Sequence, residues 1–501
     1  MKKLLLLLSI VIAGCGGGGS GNSPATTTPA ALAMPVENVS LFSNKAIDMP
    51  DLKSYQLCGD KTITKVITLT DLNGDGKKDI LLQIFCMQAT TGLMVNTDVP
   101  NKLLALLQQK DGSFIDGTKS VFGTDYVDIG GIFYRAVVND FNNDKYPDIV
   151  LAVSREDGRN MSPDASNHFA QNVFLTSNSK GGYNVIKQGQ YTWNVGAQLI
   201  DNELGGKDII MAPGIGFPEV WRYVTNWVLI NTPDWIYSVT PLFFNRKSAN
   251  LGSEILVAGV PYPQIGYTLF YKENGNWNKK DTITYPPEGN SKMVPWTTWQ
   301  GFVTQAPLIT LNGNDYAWVD INDVKCELKL KKDDANSVMV SMALGSQITG
   351  GYKGGMLVEG VGMIPTATLM AFNVNNGKLT QNTTFKVNNE FKVNVNLANT
   401  ITCGDVNGDG YDDIIVYANN PNQAPVIYIN DKIGVFNRVD PVLFPGVNTW
   451  TQNQTSFYED IDGDGVRDLL YFPTNGVVEK QPTKLLYFRG NRAILDKDLL
   501  K

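Results

Sequence analysis

The chain has 501 residues, 43% hydrophobic and only 18% charged, against about 25% charged in an average soluble protein. That composition supplies a large apolar core and excludes a disordered polyelectrolyte, while 42 basic against 49 acidic residues, a net charge of -7, argue against a nucleic-acid-binding or anionic-membrane surface. A single histidine, His168, removes most familiar catalytic and zinc constellations.

Lys2 and Lys3 precede an apolar run from Leu4 to Gly14. This has the length of an export-signal core and is too short to cross a bilayer. The run ends Ile12, Ala13, Gly14, Cys15, which resembles the lipobox of bacterial lipoproteins. The resemblance implies cleavage after residue 14 and lipid attachment at Cys15, so the membrane becomes a partner through that anchor. Gly16, rather than Asp, follows the cysteine, which in Gram-negative lipoproteins implies the outer membrane, facing the periplasm or the cell surface. Residues 15–35 include GGGGSGNSPATTTPA, a tether with no hydrophobic face to bury, and residues 36–501 carry the folded part. Loss of Lys2 and Lys3 takes the net charge to -9. Export also permits disulfides among Cys58, Cys86, Cys326 and Cys403. Cys58 with Cys86 is the favoured pair, because an antiparallel strand pair over 62–86 would bring them close; buried free thiols are the alternative.

Four segments then repeat: TLTDLNGDGKKDILLQIF at 68, AVVNDFNNDKYPDIVLAV at 136, ITCGDVNGDGYDDIIVYA at 401 and SFYEDIDGDGVRDLLYFP at 456. Each reads as a β-prone lead, a nine-residue loop of the form DxNxDGxxD and a buried strand. Positions one, three, five and nine present oxygens at alternate places on a curled loop, which suits the six to eight hard oxygen ligands of calcium. The ligand sets are Asp71, Asn73, Asp75 and Asp79; Asp140, Asn142, Asp144 and Asp148; Asp405, Asn407, Asp409 and Asp413; and Asp460, Asp462, Asp464 and Asp468. Position seven adds a backbone carbonyl from Lys77, Tyr146, Tyr411 or Val466. Gly76, Gly410 and Gly465 fill position six, where the turn favours a backbone that other residues reach only with strain; Lys145 stands there in the second loop, which is expected to bind more weakly. Position twelve is Leu82, Leu151, Val416 or Tyr471, so the bidentate Glu of an EF-hand is missing and a strand follows where a helix would. Up to four structural calcium ions are expected.

The four segments resemble the FG-GAP or VCBS-type repeat of integrin-α-like β-propellers. The resemblance implies an all-β ring of four-stranded blades, with calcium between the first and second strands of a blade. Degenerate copies at 199, 245 and 308 keep the polar-loop-then-strand shape without the ligands and are assigned to metal-free blades, Arg246 and Lys247 opposing a cation at 245. Loop starts at 71, 140, 201, 245, 312, 405 and 460 give seven blades; GGYKGGMLVEGVG at 350 leaves an eighth open. Residues before Thr68, about 36–65, are expected to lend a strand to the last blade, since ring closure removes exposed edges.

His168 lies in a polar stretch and reads as a solvated loop residue, and most acidic candidates for catalysis already belong to the metal loops. Binding of a glycan or protein, as an adhesion or capture module with no nucleic-acid partner, is therefore favoured over catalysis. A surface carbohydrate-active enzyme (polysaccharide lyase or hydrolase) and a non-catalytic scaffold subunit of an envelope complex are the alternatives. Eight of the nine tryptophans lie between 193 and 318. Most should fill gaps between blades, while Trp296 and Trp299, beside PPEGNSKMVP, are the pair expected on a loop and available to a ligand.

Overall fold

The computed structural model describes residues 42–44, 50, 52–55, 62–86, 100–154, 170–213 apart from 193, 219–231, most of 242–388, and 400–417, 426–439, 453–473 and 486–490. Cys15 with its leader and tether, Cys58, His168 and Trp299 lie outside these residues. The described chain is all-β, its sheets almost wholly antiparallel, with one short α-helix, Thr118–Phe122.

The strands form seven sheets. The first holds Thr62–Thr70, Asp79–Cys86, Lys102–Gln108 and Phe114–Asp116, with Val127–Asp128 beside the third strand. The second runs Ile132–Asn139, Asp148–Ser154, Ala170–Ser177 and Tyr183–Thr192, and the third Asn194–Asp201, Lys207–Pro213, Glu219–Tyr223 and Trp227–Asn231. The fourth joins Leu242–Ser248, Gly252–Ala258, Ile265–Glu273 and Asn276–Tyr285. The fifth is larger, seven strands built around Asn314–Leu328, Val338–Ile348 and Met363–Asn375. The sixth comprises Thr400–Gly404, Asp413–Tyr417, Val426–Asn430 and Val435–Val439, with Lys386–Asn388 added in parallel. The seventh comprises Asn453–Glu459, Asp468–Pro473 and Leu486–Gly490, completed by Phe42–Asn44 from the start of the chain. The expected loan of an N-terminal strand to the last sheet is thus met.

The second strands read as unbroken apolar runs because both of their faces are covered. Ile80, Leu81 and Leu82 are 0% exposed, and so are Ile149, Val150 and Leu151. Side chains alternate across a strand, so neighbours in sequence serve different cores. Leu81, Leu103 and Ala105 meet Leu151, Val153 and Leu175 of the second sheet. Ile80, Leu82 and Leu104 meet Ile461 and Leu470 of the seventh. Val150 and Phe174 of the second sheet pack on Met211, Trp221 and Trp227 of the third, and Val340 and Ala371 of the fifth on Ile414 and Phe436 of the sixth. Each such side chain contributes about 1.5–3 kcal/mol of burial. Trp221 and Trp227 therefore fill space between sheets, with ring centroids 5.1 Å and 4.8 Å from Phe174.

One strand of each sheet packs beside one strand of the next. Thr62–Thr70 lies against Ile132–Asn139, then Asn194–Asp201, Leu242–Ser248, Asn314–Leu328, Thr400–Gly404 and Asn453–Glu459 follow, and the last lies against Thr62–Thr70.

Three expectations are corrected. Asn245, Arg246 and Lys247 form no loop: they lie inside a strand, registered with Ile255, Glu254 and Ser253. Residues near 350 form no sheet of their own among the described residues; Leu357–Val358 joins the fifth sheet in parallel with Ser291–Thr297. Trp296 likewise sits in a strand flanked by Thr304 and Leu357, on no loop. Cys86 and Cys403 are both disulfide-bonded, so the free-thiol alternative fails for them.

Candidate metal centres

The four aspartate loops fold on one hydrogen-bond template. The carboxylate at position one gathers the amides of the turn: Asp71 accepts from Gly74 at 2.7 Å, Asp75 at 3.1 Å and Gly76 at 2.8 Å. Asp405 repeats this with Gly408, Asp409 and Gly410 at 2.7, 3.0 and 2.8 Å, and Asp460 with Gly463, Asp464 and Gly465 at 2.8, 3.2 and 2.9 Å. Asp140 accepts from Asp144 and Lys145 at 3.1 and 2.9 Å. The oxygen at position three then takes the amide of position five, and position five that of position seven, in all four loops. These Asx turns are local chemistry that short oxygen-bearing side chains perform readily.

The curl requires positive φ at position six, as expected, and also at position four, which the motif reading did not single out. Gly408 and Gly410 have φ of 76° and 85°. In the second loop Asn143 and Lys145 hold 60° and 76° without being glycine, a strained choice for lysine.

Position nine does a job of its own. Asp79, Asp148, Asp413 and Asp468 are 0% exposed. One oxygen of each accepts the amide of position two, at 2.8 to 2.9 Å from Leu72, Phe141, Val406 and Ile461. In three loops the other oxygen reaches the third strand, taking the amides of Gln108, Ser177 and Asn430 at 2.9, 2.7 and 2.9 Å. The residue read as a ligand is therefore also the keystone that joins loop, second strand and third strand. The two roles are compatible, because each carboxylate oxygen carries two acceptor sites.

The electrostatics ask for positive charge. Burial, with Asp75 and Asp71 adding to it against the pull of backbone amides, lifts Asp79 to about 6. Burial also raises Asp148 and Asp405, and raises Asp413 well above the ordinary aspartate value. The position-five carboxylates differ. Burial would raise Asp75 and Asp144, but Lys77 outweighs it at Asp75, as do the hydroxyls of Ser177 and Ser179 at Asp144, so both fall. Lys77 pairs with Asp75 at 2.6 Å, Ser177 and Ser179 each donate to Asp144 at 2.7 Å, and Lys432 approaches Asp409 to 3.6 Å. In the fourth loop Asp460, Asp462 and Asp464 each bring a carboxylate oxygen within 4.8 Å of the others. A donor set of carboxylate, amide and backbone oxygens, with neither nitrogen nor sulfur, fits a hard divalent cation such as calcium.

These loops stand on sheets that pack in series. Tyr458 of the seventh sheet donates to the carbonyl of Asp405 in the sixth at 2.7 Å. Lys78 of the first loop pairs with Glu459, and Gln108 of the first sheet donates to the carbonyl of Ile461 at 3.3 Å. The ring of Tyr146 in the second loop lies on Gly74 of the first, where a Cβ would stand 2.2 Å from it.

An FG-GAP-like repeat is matched over residues 405–471, from the start of the third loop to the strand after the fourth. No curated protein matches the chain. Among solved structures, a chain from the structure of BBS1N in complex with ARL6DN resembles it at TM-score 0.40 and 10% identity, over 90% of this chain and 98% of that one. A polysaccharide lyase gives 0.40 and 10% over 88% and 92%, and the periplasmic gluconolactonase of Pseudomonas aeruginosa 0.37 and 10% over 76% and 95%. Likeness at this level transfers no activity.

Proposed function

We propose that the chain is a calcium-braced β-propeller of seven blades, held by a lipidated Cys15 at the outer membrane, and that it binds a glycan or protein ligand there. The observation that carries the calcium reading is one hydrogen-bond template built four times, each around buried or clustered carboxylates that need a counter-charge. The strand-to-strand series that returns from Asn453–Glu459 to Thr62–Thr70 supports a closed ring. Calcium here is structural: each ion fixes a hairpin and stabilises the native state by mass action, about 2.7 kcal/mol for a site held at a hundredfold its Kd.

Ligand binding rests on elimination of catalytic groups and on the aromatic content of residues 193–318. The test is a glycan and envelope-protein binding screen on the acyl-free chain, with calcium and with chelator, alongside turnover of a polysaccharide panel. Calcium-dependent capture without turnover supports the proposal; turnover replaces it with an enzyme. Trp296→Ala and Trp299→Ala variants that bind as tightly as the parent remove those residues from the site. Replacement of Cys15 by Ser should release the protein from the membrane fraction.

A further inference from the structure

The third sheet has the keystone of the other loops and carboxylates at positions one and three, Asp201 and Glu203, but no oxygen-bearing side chain at position five. Its loop, Asp201 to Asp208, is one residue shorter and offers Gly205 where position five would be an aspartate. Asp208, second in the strand Lys207–Pro213, is 0% exposed, as Asp79 and Asp413 are at the heads of theirs. Its donors differ. Arg222, from the strand Glu219–Tyr223, donates Nε to Asp208 Oδ1 at 2.7 Å and Nη2 to Oδ2 at 2.8 Å, and Nη2 also reaches Glu203 at 2.8 Å. Asn202 adds a bond to Asp208 at 3.0 Å, and Lys207 pairs with Asp201. Three carboxylates thus meet two cations supplied by the chain. At the register of Arg222 the first, second and sixth sheets have Leu107, Thr176 and Ile429, none of them charged, while the seventh has Arg489 opposite Asp468; the third sheet differs from the seventh in its loop, which has Gly205 where Asp464 stands at position five.

We infer that Arg222 is the resident cation of the third sheet, taking the place a divalent ion holds elsewhere, so that this hairpin closes without metal. A guanidinium fork matches both oxygens of one carboxylate, which a lysine cannot do. The Arg222 side chain is 13% exposed, and its removal would leave a buried, unpaired carboxylate, the costly way to break such a pair. The contrast with the other loops rests on the calcium reading; the role of Arg222 does not.

Hydrogen exchange on the whole chain, with calcium and with chelator, tests this. In the parent protein chelator should raise exchange at 401–417 and leave 196–213 unchanged. Arg222→Met should raise exchange at 196–213 at least tenfold in calcium and chelator alike, with Arg222→Lys between it and the parent. Asp208→Asn combined with Arg222→Met should recover most of the loss, since no buried charge is then orphaned. A single variant that fails to fold beside a double variant that folds supports the same conclusion. Parent-like exchange in Arg222→Met, a double variant no better than the single, or opening of 196–213 by chelator in the parent would overturn it. Unchanged exchange at 401–417 under chelator removes the calcium reading of that loop, while the Arg222 and Asp208 variants still decide the inference.

Discussion

The sixth and third sheets solve one problem with different materials. Each sets a fully buried aspartate, Asp413 or Asp208, within the first two residues of its second strand. In the sixth, backbone amides of Val406 and Asn430 hold that carboxylate, and Asp405 and Asp409 crowd more negative charge nearby. In the third, Arg222 and Lys207 bring the counter-charge within the chain. In both, donors aimed at one buried carboxylate join loop and strands; carboxylates gather around it in each, met in the third sheet by Arg222 and Lys207 and approached in the sixth by Lys432, 3.6 Å from Asp409.

The largest effect that sharpens this contrast is chelation. Calorimetry of the calcium-loaded protein should show the melting temperature falling by several degrees on adding chelator, each emptied site costing about 2.7 kcal/mol if calcium stood at a hundredfold its Kd. An unchanged melt would break the contrast at its root. Next, Asp413→Ala orphans two buried amides and also removes a ligand, so it should cost about 2–5 kcal/mol by denaturant unfolding under chelator and more in calcium. Asp409→Ala removes a ligand at the loop, so its loss should be present in calcium and shrink under chelator. A loss of equal size in both conditions would reduce Asp409 to a turn residue. Gly410→Ala, at φ 85°, should cost about 1–2 kcal/mol. The smallest effect runs the other way: Lys145→Gly relieves a lysine at φ 76° and should stabilise the second loop by about 0.5–1 kcal/mol.

Much of this was legible from residue order alone. The Asp, Asn and Gly spacing marked the loops because their turns are made by side chains reaching two to five residues along the chain. The apolar runs after Asp79, Asp148, Asp413 and Asp468 announced strands covered on both faces. What escaped depends on pairing across strands. The keystone role of position nine needs the amides of Gln108, Ser177 and Asn430, which a loop motif does not contain. Arg222 lies fourteen residues beyond its partner Asp208, and only register shows it standing where Leu107, Ile429 and Arg489 stand in other sheets. At 245 the degenerate repeat reads as a polar loop before a strand, whereas Asn245, Arg246 and Lys247 are themselves in the strand, registered with Ile255, Glu254 and Ser253.

The strand Phe42–Asn44, matched to Leu486–Gly490, sets a condition on assembly. Phe42 and its partner Gly490 stand far apart in the sequence, with the other six sheets formed from residues between them. Until those two strands meet, the seventh sheet lacks its outer member and keeps an open, adhesive border. Assembly of that sheet is thus tied to both strands being present, and a product without Leu486–Gly490 would be left with an unsealed margin for other chains to join.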